Sequence, residues 1–149
     1  MNFVYLVDTN VISAGFPSRL KAPAELIGWM ERQSDALFLS VVTVAEIQDG
    51  IAKAQREGAV RKARDLTAWF ETLLHLYGDR ILPFDINVAR IAGILSDRAR
   101  GQGHAPGFAD IVIAATAEHH CLTILTRNVA HFRPLKVPVI NPYETLPAG

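Results

Sequence analysis

The chain has 149 residues, of which half are apolar and a fifth are charged. This length suits one domain with a sizeable core, and the apolar content excludes a disordered or low-complexity protein. Fifteen Lys and Arg residues balance fifteen Asp and Glu residues. Taken alone, that balance argues against a phosphate-binding protein with a uniformly basic surface. We predict a single domain over residues 1–149.

Short apolar runs alternate with amphipathic segments along the first half of the chain. The run Phe3–Val7 is typical of a strand that is buried on both faces, and it stops at Asp8. Ser40 and Thr43 are candidate N-caps for a later helix. The predicted elements of this half are a strand at 3–7, a short helix at 11–15 closed by Gly15 and Pro17, a helix at 23–33, a strand at 36–39, a helix that ends near 57, and a helix at 60–76.

The second half continues the alternation. The predicted elements are a strand at 80–84, a helix at 86–100 capped by Asp85, a glycine-rich loop at 101–107, an apolar helix at 108–120, a strand at 122–125, a helical turn ending at 132 and a last strand at 137–140. Pro138 marks the last strand as an edge. Alternating strands and helices predict a three-layer α/β/α fold with a central parallel sheet of four to five short strands.

The sequence shows no signal for export or membrane insertion. The N-terminus has no basic segment, and no apolar run approaches the ~20 residues of a membrane span. The single cysteine, Cys121, cannot form an intrachain disulfide, and with His119 and His120 beside it lacks zinc-finger spacing. We interpret Cys121 as a helix end that leads into a buried strand, and we expect a cytoplasmic protein.

Several polar residues stand where strands end or the following helices begin. Ligands of parallel α/β folds bind at the carboxyl ends of the strands. The candidate residues are Asp8, Glu46, Asp110, Thr126 and Asn128. We expect these residues to converge on one edge of the sheet.

Each candidate also has a purely structural interpretation. Asp8 opens an ordinary capping turn, and Glu46 matches capping-box spacing with Thr43. Asp110 stands in the first turn of a helix that is apolar nearly all round, where the helix dipole favours an acid. A carboxylate in such a helix is otherwise costly unless it is paired, capped or coordinated. Thr126 and Asn128 could form a plain turn.

The three acids together are more informative than any one of them. Carboxylates gathered at one sheet edge repel each other unless a divalent cation lies among them. Oxygen ligands without Cys or paired His favour Mg²⁺ or Mn²⁺ over Zn²⁺. Such ions assist the attack of water on a phosphodiester. The pattern therefore favours metal-dependent hydrolysis of a phosphate ester.

Six segments, in order along essentially the whole chain, match one protein family. They are residues 7–10, 40–47, 50–52, 108–117, 126–132 and 139–142. Through them the chain resembles a PIN domain, the ribonuclease toxin of a VapBC-type toxin–antitoxin pair in its FitB-like branch. The resemblance implies a PIN-like α/β/α fold and a Mg²⁺-dependent endoribonuclease, with Mn²⁺ as a possible substitute.

The resemblance also implies roles for individual residues. Asp8 and Asp110 match the metal-binding aspartates of the family, and Glu46 matches a glutamate that contacts the metal or its water. Asn128 completes the catalytic set, at a position where many members have a fourth acid. Where many members have another Asp, this chain has His131, which puts a second metal site in doubt.

Further residues are implied around these ligands. Thr9, Asn10 and Thr126 are expected to hydrogen-bond the metal ligands. Arg127 is a candidate contact to the RNA backbone. The basic residues between Lys53 and Arg64 are either such a contact surface or an ordinary solvated helix face.

Three kinds of partner follow from the resemblance. They are an RNA substrate, a second copy of the chain in a homodimer, and a cognate antitoxin that covers the groove. Helices within Val41–Leu76 would form part of the antitoxin docking surface.

Two other functions remain open on sequence grounds. One is a catalytically silent PIN-like module that binds RNA or an antitoxin, which Asn128 and His131 favour and the three acids oppose. The other is a phosphohydrolase or receiver-like domain. Phosphatases with an aspartyl nucleophile favour a second Asp where this chain has Asn10, and the late Lys of a receiver is not found.

Overall fold

Five short parallel strands form one central sheet. The computed structural model describes residues 3–16 and 22–148. The strands are β1 (Tyr5–Val7), β2 (Leu37–Ser40), β3 (Ile81–Leu82), β4 (Thr123–Leu125) and β5 (Val139–Ile140). Their order across the sheet is β3-β2-β1-β4-β5. Since every pair is parallel, all carboxyl ends lie at one edge of the sheet.

Helices connect the strands and cover both faces of the sheet. They are α1 (Thr9–Ile12), α2 (Ala24–Arg32), α3 (Val41–Arg56), α4 (Val60–Tyr77), α5 (Ile86–Gly101), α6 (Phe108–His120) and α7 (Val129–Phe132). Short 3₁₀ turns lie at 13–15, 34–36, 78–80 and 133–135. Gly58, at φ +77°, makes the tight turn between α3 and α4.

Two apolar clusters form the core, one on each face of the sheet. Successive side chains of a strand point to opposite faces, and β1 follows this rule. Leu6 belongs to the cluster built with α5 and α6, while Tyr5 and Val7 belong to the cluster built with α1 to α4. The predicted three-layer α/β/α architecture is therefore confirmed.

Most predicted elements are present, with shorter strands. The third strand ends at Leu82, before Pro83, which cannot donate a ladder hydrogen bond. The first short helix begins at Thr9 and not at Val11, because Asp8 caps it, and residues 13–15 are a 3₁₀ turn. The predicted role of Pro17 lies outside the described residues. The edge position of β5 and the bounds of α6 are confirmed.

The end of α6 is the predicted helix-to-strand junction. Cys121 is exposed and takes a left-handed conformation at φ 55°, and Leu122 behind it is buried. The rings of His119 and His120 pack edge to face, with centroids 4.7 Å apart. Within residues 3–16 and 22–148, no helix combines the length and apolar content needed to cross a membrane.

Candidate active site

The site is built around Asp8, at the carboxyl end of the central strand. The Asp8 amide donates to the carbonyl of Leu125 at 2.9 Å, and the Thr126 amide donates to the carbonyl of Ile140 at 3.0 Å. Strand pairing therefore brings Asp8 beside Thr126, although 118 positions separate them. The Thr126 hydroxyl donates to Asp8 Oδ2 at 2.8 Å.

Asp8 is both a helix cap and a member of the polar cluster. Its Oδ1 accepts the Thr9 amide at 2.8 Å, which caps α1. Its Oδ2 also accepts from Asn10 Nδ2 at 3.3 Å. The capping interpretation is therefore correct but incomplete, because a cap alone needs neither Thr126 nor Asn10.

The carboxyl of Asp8 lies in an environment that opposes its charge. Only 6% of the residue is exposed. Burial raises its pKa above the ordinary value, the Thr126 hydroxyl and the Thr9 amide lower it, and the charges of Asp110 and Glu46 raise it again. The net direction is upward. A cation bound beside Asp8 would stabilise its ionised form against both burial and the two neighbouring negative charges.

Glu46 contacts the Asp8 segment and does not form a capping box. The N-cap of α3 is Ser40, whose side chain accepts from the Val42 amide at 3.1 Å. Thr43 is buried inside the helix, so the predicted capping box with Glu46 is wrong. Instead, the Thr9 hydroxyl donates to Glu46 Oε1 at 2.7 Å and lies 3.1 Å from the Thr43 hydroxyl. Glu46 is therefore hydrogen-bonded to Thr9, the residue that directly follows Asp8 in the chain.

Asp110 reaches the same cluster from α6. It stands in the first turn of the helix, as predicted, where the helix dipole favours an acid. The charge of Asp110 raises the pKa of Asp8, so Asp110 lies close to Asp8 in addition to occupying the first turn of α6. Asp110 Oδ2 lies 3.4 Å from Nδ1 of His131, and their side chains are 24% and 59% exposed. Both positions were predicted from the sequence, but the contact between them was not.

Asn10, Thr126 and Asn128 form a hydrogen-bonded loop around Asp8. Asn10 Nδ2 lies 3.4 Å from the Thr126 hydroxyl, which also accepts the Asn128 amide at 3.0 Å. Asn10 Oδ1 accepts the Arg127 amide at 3.0 Å. Asn128 is exposed, and its side chain makes no cap hydrogen bond to α7. The structure thus connects Asn128 to the site through its backbone.

A groove opens beside Asp110. Its volume is about 480 Å³. It is lined by residues 104–107 of the glycine-rich loop together with Asp110, Ala130, His131 and Pro134. The loop that the sequence marks as irregular therefore forms one wall of a cleft at the acidic cluster.

The donor set fits a hard divalent cation that keeps part of its water shell. Among the described residues, no three His, Cys, Asp or Glu side chains form a ready-made metal cage. A closed zinc site needs such a cage. Mg²⁺, in contrast, is bound through one or two carboxylates and retains several waters. The buried Asp8 carboxylate, opposed by the charges of Asp110 and Glu46, suits that mode.

Comparison with known proteins gives a consistent result. A model of the PIN domain matches residues 5–134. Toxin FitB of Neisseria gonorrhoeae is 34% identical over 143 residues, which cover 93% of this chain and 98% of that protein. VapC ribonuclease Y4jK of Sinorhizobium fredii is 35% identical over 140 residues, covering 93% and 97%. The solved structure of FitAB bound to the IR36 DNA fragment matches with a TM-score of 0.79 at 33% identity, covering 94% of this chain and 96% of that one.

Proposed function

This chain belongs to the PIN-domain family and is a ribonuclease toxin of a toxin–antitoxin system, and on that premise we propose that it hydrolyses RNA with a divalent cation bound by Asp8 and Asp110, with Glu46 contacting the cation or its water. The observation that carries the proposal is the convergence of acids on Asp8, which is only 6% exposed and accepts from Thr126 and Thr9, while Thr9 donates to Glu46; burial and the charges of Asp110 and Glu46 raise the pKa of Asp8 in agreement with this. A bound cation would remove that electrostatic cost. We propose Mg²⁺, with Mn²⁺ as the alternative.

The protein's own residues have distinct tasks in this proposal. Thr9, Asn10 and Thr126 fix the two oxygens of Asp8 and so orient a metal ligand. Glu46 uses Oε1 to accept from Thr9, which leaves Oε2 to accept a hydrogen bond from the attacking water. When bound, the cation would lower the pKa of its water and offset charge that develops on the phosphate.

Asn128 and the groove beside Asp110 complete the proposed site. The exposed Asn128 side chain can donate to a phosphate oxygen and, unlike an acid, adds no charge that repels RNA. The groove lined by the glycine-rich loop is open, so a single strand of RNA can enter it from solvent. The direct test is cleavage of a structured RNA by the purified chain with Mg²⁺ or Mn²⁺ and with EDTA.

We also propose that the chain binds a cognate antitoxin and acts in the cytoplasm of a prokaryotic cell. The relatives are bacterial, one of them a toxin, and a similar solved structure is FitAB on DNA. An apolar groove of about 210 Å³ lies between α2 and α4, with Met30, Trp69, Leu73 and Leu76 among its lining residues. Because α4 supplies one wall of this groove, the groove overlaps the docking surface that the resemblance implies within Val41–Leu76.

Leu76 provides a test of this docking surface. Leu76→Asp is expected to weaken antitoxin binding at least ~10-fold, because the charge would be desolvated in an apolar groove. Leu76 is 57% exposed, so the fold should tolerate the change. The measurement is calorimetric titration with the antitoxin. Ile94→Asp, at a position on α5 that is 61% exposed, is the matched control, and equal effects of the two variants would contradict the assignment.

The homodimer is likewise a proposal, and an exposed aromatic pair supports it. The rings of Phe84 and Phe108 meet edge to face at 5.9 Å. They are 39% and 67% exposed, and Ile86 beside them is 79% exposed. Apolar side chains clustered on a surface mark interaction sites.

Phe108→Asp is therefore expected to convert a dimer into a monomer. The introduced charge would be buried without a partner at the interface. Molar mass measured by light scattering after size exclusion reports the change, with Leu76→Asp as the control that should stay dimeric. A wild-type monomer, or a Phe108→Asp dimer, would contradict this location of the interface.

A further inference from the structure

Arg127 and Tyr143 form a cation–π pair at the sheet edge that carries the acids. The Arg127 guanidinium carbon lies 4.4 Å from the centroid of the Tyr143 ring. Arg127 follows β4 by two residues, and Tyr143 follows β5 by three. Because these strands are neighbours and parallel, their carboxyl ends bring the two side chains together. The contact between Arg127 and Tyr143 cannot be predicted from the local sequence around either residue.

The backbone of Arg127 is tied to the carboxylate of Asp8. The Arg127 amide donates to Asn10 Oδ1 at 3.0 Å, and Asn10 Nδ2 donates to Asp8 Oδ2 at 3.3 Å. One side chain therefore links the backbone at Arg127 to the proposed metal ligand. A change in position at Arg127 would be transmitted to the site through two hydrogen bonds.

The position of the Tyr143 ring beside the guanidinium is fixed by two contacts. The backbone amide of Tyr143 donates to Asn141 Oδ1 at 3.0 Å. The side chain is half-buried and packs against the apolar cluster that contains Tyr5 and Val7. Arg127 itself is exposed, and among the described residues no Asp or Glu forms an ion pair with it. Its donors therefore remain available to an anion from solvent.

We propose that Tyr143 is a positioning residue that holds Arg127 to bind a phosphate of the RNA next to the scissile phosphate. The inference rests on the proposed function and identifies the cation that guides the substrate backbone. A guanidinium presents paired donors that match phosphate geometry. The acidic cluster repels the RNA backbone, so a cation fixed at its margin lowers that repulsion. Arg127 occupies one face of the ring, which favours a phosphate contact over base stacking on that face.

The experiment measures RNA binding apart from cleavage. A fluorescent single-stranded RNA of mixed sequence is titrated in EDTA, and anisotropy gives the dissociation constant over a range of salt concentrations. Arg127→Ala and Tyr143→Leu are each expected to weaken binding about 5- to 10-fold and to lower the salt slope by about 0.7, the value for one phosphate of a single strand. Tyr143→Phe keeps the aromatic face and should stay within about twofold of wild type.

Double substitution separates positioning from an independent contact. If Tyr143 acts through Arg127, the double variant binds no more weakly than Arg127→Ala alone. Arg90→Ala, which removes an exposed arginine from α5, should leave affinity and slope nearly unchanged. The melting temperature of each variant, Tyr143→Phe included, is measured as well. Weaker RNA binding by a variant that melts like wild type then reflects lost positioning of Arg127 and not unfolding.

Three results would overturn the proposal. They are an unchanged salt slope in Tyr143→Leu, an equal loss in Tyr143→Phe, and additive losses in the double variant. Additive losses would indicate that a base stacks on Tyr143 independently of Arg127. A parallel cleavage assay with Mg²⁺ or Mn²⁺ tests the proposed function separately, since binding in EDTA does not require cleavage.

Discussion

Asp110→Asn is expected to reduce RNA cleavage at least ~100-fold without unfolding the protein. The substitution keeps the size and shape of the side chain but removes the negative charge on α6 that raises the pKa of Asp8. An amide is a poorer ligand for a hard cation than a carboxylate. Loss of a partner outside the ligand sphere already costs 10- to 100-fold in metal affinity or activity, so loss of a ligand should cost at least as much.

The measurement is single-turnover cleavage of an end-labelled RNA over a titration of Mg²⁺ and of Mn²⁺. Asp97→Asn is the matched control, because it makes the same chemical change on α5, where the Asp97 side chain is 86% exposed and only pairs with Arg100. The control should cleave like wild type. Cleavage that persists in EDTA, or Asp110→Asn activity within tenfold of wild type, would contradict metal-dependent hydrolysis at this site.

The fold could be predicted because its signals are local. Apolar runs such as that ending at Val7 are too short for helices and too apolar for exposed strands, and α6 is apolar over its full length. The start of α5 was also predictable, and the structure confirms its cap, because Asp85 accepts the Val88 amide at 3.0 Å. The order of the strands across the sheet was not predicted, because it depends on pairings between segments far apart in the chain.

The candidate site was predictable in its members but not in its contacts. Asp8 stands at a strand end, and Glu46 and Asp110 stand near the starts of helices; the parallel α/β topology predicts that such positions converge at one edge of the sheet. Glu46 shows the limit, since its spacing from Thr43 fits a capping box, yet its partner is Thr9, 37 positions away. The same holds for His131 against Asp110 and for Tyr143 against Arg127, where each pair meets only after the sheet has formed.

The zero net charge of the chain acquires a more specific meaning from these contacts. The acids gather where the proposed cation binds, Arg127 lies exposed at the same edge of the sheet, and the basic residues of α3 and α4 between Lys53 and Arg64 are exposed. A neutral total therefore does not exclude nucleic acid. We expect modest affinity for bare RNA, and we propose that the shape of the groove and a few fixed cations such as Arg127 select the substrate.

Asp8→Asn is expected to raise the melting temperature of the metal-free protein at neutral pH while it abolishes cleavage. A carboxyl whose pKa is raised in the folded state binds its proton more tightly there than in the unfolded chain. Ionisation of Asp8 therefore costs stability as the pH rises from about 4 through the folded-state pKa, and the cost stays at higher pH. Asparagine is neutral throughout, so its advantage should be small near pH 4, grow as the pH rises, and level off above the folded-state pKa of Asp8.

The same variant tests the cation without any measurement of activity. Wild type in Mg²⁺ or Mn²⁺ at about 100 times the dissociation constant should gain about 2.7 kcal/mol, or roughly 5–10 °C in melting temperature for a chain of this size. Asp8→Asn should gain little, and Asp97→Asn should respond like wild type. Calorimetric melts in EDTA and in metal from pH 4 to pH 8 report both effects. A variant less stable than wild type in EDTA at pH 7 would mean that the bonds from Thr126 and Thr9 outweigh the cost of the buried charge, and the electrostatic basis for a cation at Asp8 would be lost.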